Sequence, residues 1–246
     1  MRSVQIVVAH WPSLLVAYLG PTAVGVAIAG AAALARTRLP WGLVLAIVLV
    51  VVEPLMMTAL ALAVAVALGI EVPRPARFSS SVRLWPEQAK IVIPGVFVAF
   101  ALAGIAGAGW QAGWSAFLSP SLEAAGLAVF VVAGIAAAAI GFLTMAAAVF
   151  VAVEDTPAAT ALRKTFGALF VRNAWSGLSA ALIFAVIVLG FPAIFNAPIF
   201  SHVPYASLPV PLRVLVMGAL LVVVNFGSIA TAVTFALLFA RREVLA

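Results

Sequence analysis

Cysteine is absent from the 246-residue chain, and charged residues make up only 8% of it. Without cysteine the chain has no disulfides, no thiolate metal sites and no cysteine nucleophile. Soluble domains carry about 25% charged residues, so the charge deficit excludes an ordinary water-soluble fold. Histidine occurs twice, at His10 and His202 near opposite ends of the chain. Haem-type ligation inside a helical bundle usually needs histidines in mid-span, so we expect no cofactor.

Catalytic motifs are also missing. The chain contains no Gly-rich phosphate loop, no HExxH and no GxSxG. Its only paired carboxylates are the adjacent Glu154 and Asp155, and Glu53 is the single acidic residue inside any predicted span. An intramembrane protease needs a Ser–His or Asp–Asp pair within the spans, which this sequence does not supply. We therefore expect a protein that is not an enzyme.

What the chain does contain is long apolar runs, because 66% of its residues are hydrophobic and its mean hydropathy is +1.29. A membrane span needs about 20 mostly apolar residues. The stretches that qualify are 12–35, 42–70, 91–109, 124–152, 174–195 and 213–240. No linker divides them, so the sequence predicts an all-α polytopic membrane protein with a single six-helix transmembrane domain over 1–246.

The N-terminus, basic and then apolar, superficially resembles a signal peptide. Its apolar region runs from about Val4 to Ala35, whereas the apolar core of a signal peptide spans roughly 7–15 residues. We therefore expect an uncleaved first transmembrane helix.

Lys and Arg are distributed unequally between the two predicted faces, and they account for the net charge of +6. With the N-terminus inside, the inner segments hold ten of the 13: Arg2, Arg74, Arg77, Arg83, Lys90, Arg163, Lys164, Arg172, Arg241 and Arg242. The outer segments hold Arg36, Arg38 and Arg213. Excess positive charge marks cytoplasmic loops beside anionic lipid rather than a nucleic-acid partner. Both termini are therefore predicted to be cytoplasmic.

A pattern is repeated three times along the chain: a segment that mixes apolar and polar residues precedes each pair of predicted spans. These segments are 1–11, 79–90 and 154–173. We interpret the chain as three units, each an interfacial helix followed by a hairpin of two spans.

The third interfacial helix is the best defined, with Thr156 predicted as N-cap and Pro157 at the first helical position. Its predicted apolar face comprises Ala158, Leu162, Phe166, Leu169, Phe170 and Asn173. The basic residues mostly off that face, which we expect at the lipid headgroups, are Arg163, Lys164 and Arg172. A positively charged topogenic loop, or a segment with a regulatory or partner-docking role, would fit the same residues.

Two stretches carry a family resemblance. In "FLTMAAAVFVAVEDTPAATALRKTFGALFVRNAW" (142–175) a span ends in an acidic residue, Glu154, and a short turn follows. The helix that leads into the next span carries Ala161, Leu162, Arg163, Lys164, Thr165 and Phe166. With "HWPSLLVAYLGP" (10–21), this resembles uncharacterised six-helix bacterial and archaeal membrane families related to the membrane domain beside some glycerophosphoryl diester phosphodiesterases. The resemblance implies a non-catalytic element in a prokaryotic inner membrane.

One charge lies deep in an apolar run: Glu53, followed at once by Pro54. A charged residue at mid-bilayer costs about 2.5–3.5 kcal/mol on insertion scales, so Glu53 should face the bundle interior, be protonated, or both. It lies about 16 Å from the start of its span at 1.5 Å per residue. Pro54 frees the carbonyl of Val50. We expect Glu53 to hydrogen-bond that broken turn, or to reach Asn225 or Ser228 on the last span.

Aromatic residues mark the predicted outer side. Trp110, Trp114 and Phe117 fall on one face of a short helix, and Tyr205 lies in the proline-rich loop before the last span. Such residues form either a belt at the headgroup level or a contact surface for a partner.

Small residues recur within the spans, among them Gly104, Gly107, Gly134 and Gly141. They predict close helix packing, either within the bundle or against another membrane protein.

Two functions remain from the sequence. The first is a scaffold or accessory subunit that packs against lipid and another integral membrane protein, or against further copies of itself. The second is a small transporter or permease component with Glu53 as a mid-membrane site, since broken helices line many transport sites.

Overall fold

The computed structural model describes residues 2–34, 40–113, 120–172, 174–195 and 209–244. Its regular elements in these ranges are all helical, which confirms the predicted all-α class. They are α1 (Arg2–Leu34), α2 (Trp41–Ala67), α3 (Phe78–Gly113), α4 (Pro120–Glu154), α5 (Ala158–Phe166), a π-helical turn (Gly167–Arg172), α6 (Ala174–Phe195) and α7 (Val210–Val244).

Five helices in these ranges are long and apolar enough to cross a membrane, namely α1, α2, α3, α4 and α7. A sixth is reached if the bent pair Ala158–Val171 and Ala174–Val188 counts as one span; its two parts meet at 107°. These lengths and compositions fit the predicted multi-pass membrane protein.

Two helices begin earlier than the hydropathy pattern predicts. The polar segment 79–90 is continuous with the following span, so α3 starts at Phe78. Likewise α1 starts at Arg2, but a kink at His10, with φ −116° and ψ 16°, divides it into two helical parts. Hydropathy locates apolar runs, but a helix continues through polar residues whenever their side chains find partners. Of the three predicted units, only the second therefore has its first helix continuous with the span, because the first is interrupted at His10 and the third by a sharp bend.

The core of the bundle is formed by the second half of α2, the second half of α4 and the second half of α7. Phe142 of α4 is fully buried there. Its ring lies 5.5 Å from the ring of Phe184 on α6, and 5.6 and 5.3 Å from those of Phe235 and Phe239 on α7. This aromatic cluster joins α4, α6 and α7 around the side chain of Phe142. Its ring pairs are tilted or edge to face, and aromatic rings prefer the edge-to-face arrangement to a face-to-face stack.

Two glycines of α3 allow α3 and α4 to pack closely against each other. A Cβ placed on Gly95 would lie 2.0 Å from Oγ1 of Thr144, and one on Gly109 would lie 2.8 Å from the carbonyl oxygen of Gly126. Small residues let backbones approach where lipid provides no hydrophobic drive between helices. By contrast, Gly104 and Gly107, which the spacing singled out, have no heavy atom within 4 Å of such a Cβ.

Residues 97–113 of α3 and 120–135 of α4 form what we call the distal hairpin. Among its residues with described side chains, the buried ones are Ala106, Gly109, Gly126 and Ala133. Gly109 and Gly126 meet in the seam between the two helices. The remaining side chains of the distal hairpin are exposed or partly exposed, whereas the other end of α4 is buried from residue 144 to residue 152. The distal hairpin therefore projects beyond the common core.

At the opposite end of the bundle, α5 is docked by polar contacts. The predicted cap was wrong: Thr156 donates its hydroxyl to the carbonyl of Phe150 at 3.3 Å, and α5 begins at Ala158 without a local side-chain cap. The backbone N–H of Ala158 instead donates to the carboxylate of Glu87 on α3, at 3.0 Å. Because anions are favoured at a helix N-terminus, a residue distant in sequence stabilises the start of α5.

The two acidic residues before α5 are engaged in ion pairs with other segments. Asp155 accepts a bidentate interaction from Arg74, with the shorter contact at 2.6 Å, and Glu154 accepts from Lys164 at 2.5 Å. Both pairs are partly exposed, so their principal effect is to orient the segments rather than to add much stability.

The close packing of α3 against α4 at Gly95 can be tested by substitution. We expect Gly95→Ala to destabilise the protein by about 1–3 kcal/mol, the usual cost of overpacking, because the new methyl group would overlap Thr144. Gly104→Ala on the same helix is the matched control, since its Cβ meets open space. Denaturant unfolding in detergent, followed by circular dichroism, measures both. Equal stability of the two variants would contradict the seam.

Candidate functional site

Pro54 lies in the middle of α2. Because proline has no N–H, the carbonyl of Val50 loses its partner within the helix. In the structure the indole N–H of Trp85 on α3 donates to the carbonyl of Val51 at 3.3 Å. Thr58 donates its hydroxyl to the carbonyl of Pro54 at 2.8 Å. Side-chain donors thus bond two carbonyls close to the proline, although neither is the carbonyl of Val50.

Trp85 belongs to a short segment of α3 that connects three other helices. Trp85 bonds α2, Glu87 bonds the first amide of α5, and the amide nitrogen of Gln88 donates to the carbonyl of Ala148 on α4 at 2.8 Å. Gln88 is fully buried, and its oxygen has no hydrogen-bond partner in the described part of the chain. We call Trp85, Glu87 and Gln88 the α3 clamp. These contacts were not predicted, because the sequence indicated only an interfacial helix over residues 79–90.

Glu53 directly precedes Pro54 in α2 and is half-buried. Among the described residues no hydrogen bond or ion pair to its carboxyl group is found, and the predicted bond to the broken turn is not formed. The phenol of Tyr18 on α1 lies within electrostatic range of it. The ring of Tyr18 in turn meets Phe226 of α7 edge to face, at 5.6 Å. Glu53 therefore offers free carboxyl oxygens at a junction of three helices.

The structure does not bring Glu53 and Asn225 together. Asn225 is exposed on α7, whereas its neighbours Val224 and Phe226 are buried. Phe226 takes the position against Tyr18, and successive helical residues are rotated by about 100°, so Asn225 is turned outward. Ser228 is buried, but no hydrogen bond to Glu53 is found in the described ranges.

The predicted aromatic surface is described only in part. Trp110 is 45% exposed, and its ring lies 5.0 Å from that of Phe130 on α4, so it packs within the distal hairpin while leaving one face outward. Trp114, Phe117 and Tyr205 lie outside the described residues.

The three predicted interfacial basic residues differ in their surroundings. Lys164 is paired with Glu154, and its ammonium group lies 5.8 Å from the ring centre of Phe150. Arg163 is exposed and forms no ion pair within the described part of the chain. Of Arg172, only the backbone belongs to that part.

The described residues contain no group of three His, Asp or Glu side chains that could hold a metal ion. The carboxyl of Glu53 and the nearby phenol of Tyr18 can take up a proton or a monovalent cation.

No protein-family model, curated protein or solved structure matches this chain. The family resemblance based on stretches 142–175 and 10–21 therefore stays a prediction. The features of the chain that bear on its function are Glu53 beside Pro54, the α3 clamp and the surfaces that the bundle leaves exposed.

The α3 clamp predicts a specific stability effect. Trp85→Phe keeps the ring but removes the donor to Val51, so we expect a loss of about 0.5–1.5 kcal/mol, the net worth of one hydrogen bond. Trp11→Phe is the control, because Trp11 is 53% exposed. Denaturant unfolding measures both variants, and equal stability of the two would contradict the clamp.

Proposed function

We propose that this chain is a non-catalytic, multi-pass membrane protein that acts as an accessory subunit and packs against a partner membrane protein through its distal hairpin. The observation that carries the proposal is the uneven coverage of α4. Its residues 144–152 are buried in the core, but between residues 124 and 132 every side chain except Gly126 is exposed. This part of the hairpin therefore presents an apolar surface that no described element of the chain covers.

The composition of the exposed surface supports a protein partner over lipid alone. Gly104, Gly107 and Gly134 have open space where a side chain would be. Small residues in membranes are enriched where another helix approaches closely, and facing lipid they contribute little packing. Trp110 adds an amphipathic ring on the same hairpin. Together these residues form a surface onto which a helix from a neighbouring subunit can pack closely.

The proposed orientation follows from charge. The ten basic residues of the predicted inner segments include Arg74, Lys90 and Lys164, which lie at the end of the bundle where α5 docks. Under the positive-inside rule that end faces the cytoplasm, and the distal hairpin then reaches the opposite surface. A prokaryotic inner membrane is the location that we propose.

The absence of cysteine makes the partner surface testable without a background of native thiols. We expect single cysteines at Ala103 or Ala108, both exposed on the distal hairpin, to cross-link to another polypeptide in native membranes. Val16→Cys, exposed on α1, is the control and should stay uncross-linked. Mass spectrometry of the product distinguishes a second copy of this chain from a different protein.

Two results would reject the accessory-subunit proposal. One is the absence of any cross-linked product from the hairpin positions. The other is labelling at Val16 that equals labelling at the hairpin, because random collision in the membrane would then explain both.

Glu53 supports a second candidate, a small transporter or permease component. Its carboxyl is half-buried, lies beside Pro54 of α2 and lacks a hydrogen-bonding partner in the described ranges. Such a group could bind and release a proton or cation during transport. No second carboxylate lies within the predicted spans, and their one basic residue, Arg213, is at the very start of the last span, which makes transport the weaker proposal.

Glu53→Gln separates the two candidates. It keeps the shape of the side chain and removes its ability to carry charge. On the accessory-subunit proposal, we expect unchanged growth, unchanged folding and unchanged cross-linking from the distal hairpin. Loss of proton-coupled uptake in reconstituted vesicles, with folding and partner contacts preserved, would favour transport instead. Circular dichroism and the cross-linking assay provide the folding and partner controls.

A further inference from the structure

The helix α5 and the π-helical turn after it present an exposed face that the proposed partner surface does not include. Phe166 and Phe170 are 52% and 42% exposed, and Val171 is 73% exposed. Trp175, at the start of α6, is 79% exposed. The rings of Phe166 and Phe170 lie 5.0 Å apart, so they form one aromatic ridge. Arg163 lies one turn before Phe166 and shares its side of the helix.

The opposite side of this segment is fixed to the bundle. Ala158, Ala161, Thr165 and Leu169 are buried, and the contacts of Glu87 and Glu154 hold the helix at its start and middle. The sequence predicted a single apolar face that includes both Ala158 and Phe166. The structure divides it, because the small residues pack inward and the two phenylalanines remain outside. The aromatic ridge is therefore held in place rather than free to fold inward.

The angle between the two arms sets the direction in which the ridge points. The axis of Ala158–Val171 makes 107° with that of Ala174–Val188. When α6 crosses the bilayer, the segment from Ala158 to Val171 consequently lies close to the membrane plane. A Cβ on Gly177 would lie 2.0 Å from the carbonyl oxygen of Leu169, so the bend depends on direct backbone contact between the π-helical turn and α6.

The charge of Arg163 favours an anionic ligand. Lys164 is neutralised by Glu154, but Arg163 is exposed and has no ion-pair partner within the described ranges. A guanidinium beside apolar rings keeps its charge in the headgroup layer while its stem lies along the hydrocarbon. Phosphate is the anion that it binds in bidentate fashion.

We propose that Arg163, Phe166, Phe170 and Trp175 form an interfacial binding site for an anionic phospholipid, with the headgroup phosphate on Arg163 and the acyl chains against the aromatic ridge. Amphipathic helices with basic residues and large apolar side chains bind the membrane interface in this way. The lipid comes from the bilayer that the protein spans, so the site is occupied in the membrane-embedded state. It is independent of the distal hairpin.

The depth of the ridge can be measured with spin labels on single cysteines in nanodiscs of phosphatidylcholine and phosphatidylglycerol. We expect a label at Val171→Cys to collide with dissolved oxygen more than with a water-soluble nickel chelate, and to lie shallower than a label at Val186→Cys on α6. Thr160→Cys, on the side of α5 away from Phe166, is the control and should favour the nickel chelate. Equal nickel accessibility at positions 171 and 160 would overturn the proposal.

Lipid selectivity tests the role of Arg163. We expect Arg163→Gln to weaken retention of phosphatidylglycerol, followed by native mass spectrometry from mixed nanodiscs, by about fivefold, which corresponds to roughly 1 kcal/mol for one basic residue at an anionic surface. Arg77→Gln is the matched control, because Arg77 is also exposed without an ion pair in the described ranges.

The lipid-retention measurement can also contradict the proposed phospholipid site. Equal loss of phosphatidylglycerol in the Arg163 and Arg77 variants would overturn it, since general surface charge would then account for retention. Circular dichroism and a monodisperse elution profile confirm that both variants remain folded.

Discussion

The lipid environment requires every backbone amide and carbonyl to find a partner inside the protein, and this constraint governs the rest of the structure. The chain nevertheless places prolines within its apolar helices, at Pro12, Pro21, Pro54 and Pro94 among others. Close to Pro54 an indole from another helix donates to the carbonyl of Val51. The α3 clamp that supplies this donor also bonds α4 and α5, so one short segment of α3 joins four helices.

Much of the fold could be predicted from the sequence because hydropathy is summed over about 20 residues, and single errors average out. The helices α2, α4, α6 and α7 begin and end near the predicted limits. The start of α3 was not predictable in this way. Residues 79–90 contain polar side chains and Pro86, and whether such a stretch stays helical depends on partners such as Ala148 that lie sixty positions away.

The candidate site was predictable in its residue types but not in its partners. Pro54 was visible in the sequence, yet the indole that donates to the nearby carbonyl of Val51 belongs to Trp85, 34 positions away on another helix. Asn225 was expected beside Glu53 because it is polar and lies in a span, but a rotation of one residue decides between Asn225 and Phe226 as the inward side chain. In the same way, spacing singled out Gly104, whereas Gly95 makes the contact. Sequence periodicity gives the faces of a helix without saying which face meets a neighbour.

The contacts at Gly95 and Gly109 also restrict how the length of this protein can vary. The two glycines are separated by four turns at the 3.5-residue period of paired helices, so both point toward α4. An inserted residue between them would rotate the second glycine by about 100° and place a larger side chain in the seam. Changes in length are therefore compatible with the fold beyond Gly109, at the tip of the hairpin, where the reach of the protein across the membrane can be adjusted without altering its core.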